Sequence, residues 1–297
     1  MDLKFVRFNQ ENKVQIGIFA NDEQNIIALN DIFPDKQFNT MQNVIESLTS
    51  KDIDKLFKII NEKTDIVKIK TSEVKILAPI DKPRHDILCV GVNYAAHLKE
   101  AQDRVVNFHK DEKAIYFGKR AIKILGSGEN LISRLDIDKA LDYEVELAVI
   151  IGKTGKDIAP EDAEDYIFGY SVFNDFSSRH LQKDHVQWFK GKSMDTYTAM
   201  GPVILHKSAL PFPVETDIKC YVNGELRQNS NTRLFLTKIP QIIADLSAGM
   251  TLEAGDIIAT GTPSGVGMGY KPGKWLQKGD TVICEIPAIG KLINTIA

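Results

Sequence analysis

The segment from Asp142 to Lys153, DYEVELAVIIGK, constrains the fold more than any other in the chain. Its apolar content and the Gly152 that bounds it mark a β-strand, in which residues two apart share a face. Glu144 and Glu146 therefore project side by side, while Val145 and Leu147 face the other way. The run from Leu147 to Ile151 is continuously apolar, as in a strand that enters a core. Two adjacent carboxylates at the mouth of such a strand repel each other unless something positive sits between them, and a divalent cation is the economical answer. The competing reading is a surface strand with two solvated acids.

The rest of the chain has to decide between these. Its 297 residues suffice for one large domain, or a large one with a small companion. With 43% apolar and 26% charged residues it belongs with ordinary soluble proteins, which sets disordered and fibrous classes aside. A net charge of −3 with both signs interspersed implies no basic surface for nucleic acid or for an anionic membrane. The N-terminal sequence MDLKFVRFNQENK lacks the apolar stretch of a signal peptide, and no run reaches transmembrane length. Cys89, Cys220 and Cys284 lie far apart in strand-like sequence and read as small buried residues of a reducing compartment. The expected address is the cytoplasm.

Residues 3–8, 14–20 and 25–29 suggest a small antiparallel sheet, and 40–49 and 51–61 have helical spacing. After a short strand from Val74 to Leu77, Pro79 to Pro83 marks a boundary. A small domain is expected over 1–72 and the main domain over 73–297. The main domain opens with a strand, Asp86 to Val92, and a short helical stretch on which His97 and Glu100 share a face. An imidazole oriented by a carboxylate can take a proton from water, although H-x-x-E also occurs incidentally on exposed helices. Residues 104–113 read as a loop able to act as a lid beside His97.

FGYSVFND ends on Asn174-Asp175, a third carboxylate at a strand end. Three carboxylates plus waters suit a hard cation, Mg²⁺ or Mn²⁺. His180 and His185, in SSRHLQKDH, read as a solvated helix face. Lys192 precedes a small-residue stretch and is either a surface lysine or a partner for a substrate anion. Asn223-Gly224 signals a hairpin, and Ile239 to Ala248 a helix with proline in its first turn. The stretch LEAGDIIATGTPSGVG, 252–267, runs a strand into a glycine loop offering backbone N–H groups and the Thr262 hydroxyl to an anion. It is neither a Walker loop nor a nucleophile elbow, because GxxxxGK[ST] and GxSxG are both absent.

Five blocks in register, VGVNYAAHLKEA, DYEVELAVIIGK, GYSVFNDFSSRHLQ, GKSMDTYTAMGP and TLEAGDIIATGTPSGVG, resemble the fumarylacetoacetate hydrolase family, in its bacterial branch with a short N-terminal domain. The resemblance implies an α+β, predominantly β fold. A mixed β-roll catalytic domain, usually dimeric, would follow a small N-terminal α/β domain. It implies Glu144, Glu146 and Asp175 as ligands of Mg²⁺ or Mn²⁺, His97 and Glu100 as a water-activating dyad, and Lys192 as support for an oxyanion. Thr262 is implied as a substrate contact, with Gly261, Lys119 and Arg179 beside it. The activity it implies is metal-dependent C–C bond cleavage in a small 2-oxo acid, by acylpyruvate hydrolysis or oxaloacetate decarboxylation, with an enolate stabilised by the cation and Lys192. Isomerisation or hydration of a dienoate is the alternative, and a metal-binding scaffold without turnover the third reading. The chain departs from the family pattern at Val92, His180 and Arg120, where Val92 removes a possible carboxylate contact.

Overall fold

The strand expected from Asp142 onward forms at Val145–Ile151, and every one of its residues is buried. Burial on both faces requires a layer on each side, and the rest of the chain supplies them. The computed structural model describes residues 2–20, 23–62, 66–102 and 113–297.

In chain order the first strands are β1 (Lys4–Gln10), β2 (Lys13–Phe19), β3 (Asn25–Ala28), β4 (Ile69–Lys70), β5 (Lys75–Leu77), β6 (Ile87–Gly91) and β7 (Ile115–Lys119). Then come β8 (Asn130–Leu131), β9 (Leu141–Asp142), β10 (Val145–Ile151), β11 (Ile167–Asn174), β12 (Ser177–Ser178) and β13 (Ala199–His206). The last are β14 (Asp217–Val222), β15 (Glu225–Asn231), β16 (Ile257–Ala259), β17 (Thr281–Ile286) and β18 (Gly290–Ile296). The helices are α1 (Leu29–Ile32), α2 (Met41–Ser47), α3 (Ser50–Asn61), α4 (Ala95–Gln102), α5 (Arg179–Asp184), α6 (Phe189–Lys192) and α7 (Ile239–Ser247).

A large sheet runs β4-β3-β2-β1-β13-β11-β10-β16-β6-β7, with β5 also paired to β1. A second sheet runs β15-β14-β17-β18-β8, and β9 and β12 form a short ribbon. Alternation along β10 divides its side chains between two cores. Val145, Leu147, Val149 and Ile151 join Ile218, Cys220, Val282 and Cys284 of the second sheet and Ile242 and Ile243 of α7. Ala148 and Ile150 face the other way, among Met41, Val44 and Leu56 of α2 and α3. The protein is thus a mixed, sheet-rich structure of three layers. The expected hairpin turns at Asn223-Gly224, where both residues have positive φ, 51° and 80°.

Pro160–Tyr166 forms a 3₁₀ helix that ends where β11 begins at Ile167. The boundary placed at residue 72 falls within one sheet: β1 pairs with β13 on one side, and β5 returns to pair with β1. Residues 103–112, in the segment expected to be a lid, lie outside the described residues.

Candidate metal and catalytic centre

The antiparallel register of β10 and β11 builds the carboxylate cluster. Val145 pairs with Asn174, so Glu144 and Asp175 meet at the next position, where Asp175 N donates to Glu144 O at 3.0 Å. Glu146, two residues on, shares the face of Glu144. One ligand atom from each of Glu144, Glu146 and Asp175 lies within 4.8 Å of the others, and all three residues are buried. The sequence expectation that they converge is met in the geometry.

Three cations surround them. The Lys192 ammonium donates to Glu144 Oε2 at 2.6 Å and to Asp175 Oδ2 at 2.7 Å. Lys119 Nζ lies 2.6 Å from Asp175 Oδ1 and also donates to the carbonyls of Phe176 and Lys192. Arg179 is paired through Nη2 to Glu144 Oε1 at 2.6 Å and through Nε to Asp142 Oδ2 at 2.9 Å. Asp142 in turn accepts from the backbone N–H groups of Gly267 and Met268. Lys119 and Arg179, implied as substrate contacts, therefore commit their donors to the carboxylates and to the frame around them. Gly261 does the same, its N–H donating to Glu146 Oε2 at 2.8 Å.

The electrostatics single out Glu146. Burial pushes the Glu144 carboxyl up, but Lys192 and Arg179 outweigh it and hold it at about 2. Glu146 is pushed well above its ordinary range by burial and by the charges of Asp175 and Glu144. Burial would lower the Lys192 ammonium, yet Asp175 and Glu144 raise it above the ordinary lysine value. Four carboxylates, Asp142, Glu144, Glu146 and Asp175, thus face three cations, and among the described residues Glu146 is the one that no cation pairs with, so its charged form is disfavoured until a cation arrives. A buried all-oxygen donor set with one carboxylate left unpaired fits a hard divalent cation such as Mg²⁺ or Mn²⁺.

The dyad is also formed. His97, buried on α4, has Nδ1 2.8 Å from Glu100 Oε2. A carboxylate only accepts, so Nδ1 carries a proton, and in the neutral ring Nε2 is then the nitrogen with the lone pair. Glu100 is itself pinned, because its Oε1 accepts from Gly265 N at 3.1 Å. A Cβ at Gly269 would lie 1.7 Å from that same oxygen, so glycine there lets the loop close on the dyad. At the loop's start, Gly261 has φ +95° and sits against Val90 O and Asn93, where a side chain would collide. Val92, ahead of the dyad helix, is buried with φ 52°, a strained conformation for a β-branched residue. His180 is exposed and pairs with Asp184, outside the cluster.

Sequence reasoning missed Asp142 and Gln228. Asp142 had a visible signal, since it stands two before Glu144 in the same alternation. Gln228, fully buried on β15, accepts from Val145 N at 3.1 Å and donates to Thr262 Oγ1 at 2.7 Å. Its neighbours in ELRQNSN carry no pattern that foretells this.

Comparison with known proteins places this geometry. Residues 86–297 match the family model described as fumarylacetoacetate (FAA) hydrolase C-terminal. Oxaloacetate tautomerase YisK of Bacillus subtilis is 48% identical over 225 residues, 76% of this chain and 74% of that one. The structure of a fumarylacetoacetate hydrolase from psychrophilic Exiguobacterium antarcticum covers 99% of both chains at 37% identity, with a TM-score of 0.80. A maleylpyruvate hydrolase from Sphingobium, solved with manganese(II) and pyruvate, covers 99% of this chain and 98% of its own at 27% identity, with a TM-score of 0.76.

Proposed function

The chain belongs to the fumarylacetoacetate hydrolase family, and from that premise we propose that it tautomerises oxaloacetate or a close 2-oxo dicarboxylate with the aid of Mg²⁺ or Mn²⁺. At the coarser level it is an enzyme of this family that processes small 2-oxo acids. The observation that carries the finer reading is the His97–Glu100 pair, locked beside a buried carboxylate cluster. In the reaction a proton leaves the C2 enol oxygen and a proton arrives at C3. His97 Nε2 is the group able to move it, and Glu100 holds the ring in the required tautomer. Glu144, Glu146 and Asp175 would hold the cation, which when bound polarises the 2-oxo group and favours its enolate. Lys192 adds a fixed positive charge to the same side, and Thr262 binds the substrate carboxylate. Lys119, Arg179 and Gly261 hold the carboxylates in place.

The order of readings departs from the sequence expectation of C–C cleavage, because the relative with 48% identity carries a tautomerase name. Cleavage by hydrolysis or decarboxylation is the second reading, supported by the maleylpyruvate hydrolase of the same fold. It shares the enolate, and His97 would then deliver water or a proton. We further propose a cytoplasmic homodimer, for which the exposed Leu226, Leu234 and Leu236 offer apolar surface; light scattering tests the assembly.

The test is oxaloacetate with Mg²⁺ or Mn²⁺ and then with excess EDTA, following enol absorbance and pyruvate release in parallel. EDTA-sensitive enol decay without pyruvate is expected. Pyruvate released as fast as the enol decays would move the assignment to cleavage, and no effect on either would sink both readings.

A further inference from the structure

Where β16 ends at Ala259, its neighbour β10 still has Val145 to satisfy, and the side chain of Gln228 takes that position. This glutamine comes from the second sheet and reaches across both elements of the centre. Its Oε1 accepts from Val145 N, between the two glutamates of the cluster, at 3.1 Å. Its Nε2 donates to Thr262 Oγ1 at 2.7 Å and to Pro263 O at 2.8 Å.

The amide has one possible orientation. Val145 N–H can only donate and Pro263 O can only accept, so the oxygen must face the strand and the nitrogen the loop. Thr262 Oγ1 is consequently an acceptor toward Gln228, and its own proton points elsewhere. Among the described residues that hydroxyl has Gln228 as its one hydrogen-bond partner, and Thr262 as a residue is 3% exposed. A buried hydroxyl proton without an acceptor is costly unless a ligand supplies one.

We propose that Gln228 is a positioning residue that orients the Thr262 hydroxyl as a donor to a substrate carboxylate oxygen, while fixing the glycine loop to the strand of the carboxylate cluster. The inference rests on the reading that Thr262 contacts substrate, and it adds the residue that sets the polarity of that contact.

Gln228→Glu tests it with little change of shape. The new side chain still accepts from Val145 N, but toward the loop it presents an oxygen, which takes the Thr262 proton and repels Pro263 O. Gln228→Glu should raise KM for oxaloacetate about tenfold with a smaller effect on kcat, the size of one lost hydrogen bond to a charged group. Thr262→Val should raise it as much. The double variant should be no worse than Thr262→Val alone, because both remove one donation. Multiplying effects, or an unchanged KM in Gln228→Glu beside a raised KM in Thr262→Val, would overturn the proposal.

Two further measurements separate the inference from the reading beneath it. Pyruvate affinity in the presence of Mn²⁺, measured by calorimetry across the same variants, repeats the cycle without turnover. A parent that binds pyruvate but does not act on oxaloacetate refutes the tautomerase assignment and leaves this cycle decisive; a parent that binds neither overturns the proposal, since Thr262 then has nothing to donate to. Gln228→Met, which keeps volume and loses all three bonds, should speed amide exchange in residues 261–267. Unchanged exchange there would also count against the proposal.

Discussion

Asp175 is held from both of its oxygens, Oδ1 by Lys119 and Oδ2 by Lys192, and the two lysines have different work. Lys119 is wholly buried, and its ammonium faces Asp175 and two carbonyls. Lys119→Met should therefore act on stability, by about 3 kcal/mol for an ion pair broken in the interior. Urea unfolding of the EDTA-treated protein measures this, and a change confined to KM would instead return Lys119 to the substrate. Glu146→Gln should do the reverse. It removes a carboxylate that its neighbours repel, so the EDTA-treated protein should melt no lower than the parent. The outer partners of metal ligands typically contribute 10–100-fold to affinity, so loss of a ligand itself should weaken Mn²⁺ binding by at least about 100-fold. Turnover should fall with it, and a Glu146→Gln protein as active as its parent would end the metal mechanism. The convergence of the three carboxylates was legible because a period of two and a strand end fix where carboxylates point. The tasks of Lys119 and Gln228 were not, because their partners lie 73 and 83 residues away in the chain. Local pattern says nothing about which donor meets which acceptor across that separation.

Elements were easier to read than their ends. The spacing of Ile53, Leu56, Phe57 and Ile60 foretold α3, and a capping box closes its start. Thr49 Oγ1 accepts from Asp52 N, and Asp52 Oδ2 accepts from Thr49 N at 2.8 Å. Thr49→Ala should cost about 1 kcal/mol, seen as a lower urea midpoint. Burial pushes the Asp52 carboxyl up, but Lys36 and Thr49 outweigh it and hold it at about 2. Its folded value lies below its unfolded one, so its contribution is present above about pH 4 and is lost as pH falls toward 2. Asp52→Asn should flatten that part of the stability profile. His206, at the end of β13, packs edge-on against Phe57 of α3 and Phe168 of β11. Burial and Lys207 hold its imidazole at about 4, so the neutral ring stabilises the fold above about pH 6.5 and that stability is lost as pH falls through 4. His206→Gln should remove this loss between pH 6 and 4 in urea titrations at fixed salt. What the sequence could not supply was the start of β13: the stretch through Ala199 reads as small residues, and only pairing with β11 makes it a strand.

At the scale of the whole molecule, the family model begins at residue 86 and the sequence places a boundary at 72, yet the hydrogen bonds cross both. β1 lies at the centre of the exchange. Phe5 pairs with Ile204 of β13, Phe8 pairs with Ile76 of β5, and the Phe5 ring packs against Phe168 at 5.0 Å between centroids. The core on that face mixes Leu3, Phe5, Ile18, Val44 and Leu56 with Ile87, Ala148, Ile150, Phe173 and Ile204. Each such side chain returned to water costs about 1.5–3 kcal/mol, and a domain's net stability is only about 5–15 kcal/mol. Removing the first 72 residues would expose several at once and leave β13 with an open edge. The full chain should therefore unfold in one transition, with His206 and Glu146 reporting the same midpoint when each is followed by a local probe. A chain of residues 73–297 should be insoluble or lack cooperative melting, although it contains every residue of the cluster, the dyad and the glycine loop. If that shortened protein instead melts sharply and binds Mn²⁺ as the full chain does, the N-terminal strands are an independent domain laid against a self-sufficient catalytic one. Two separated calorimetric transitions in the intact protein would say the same.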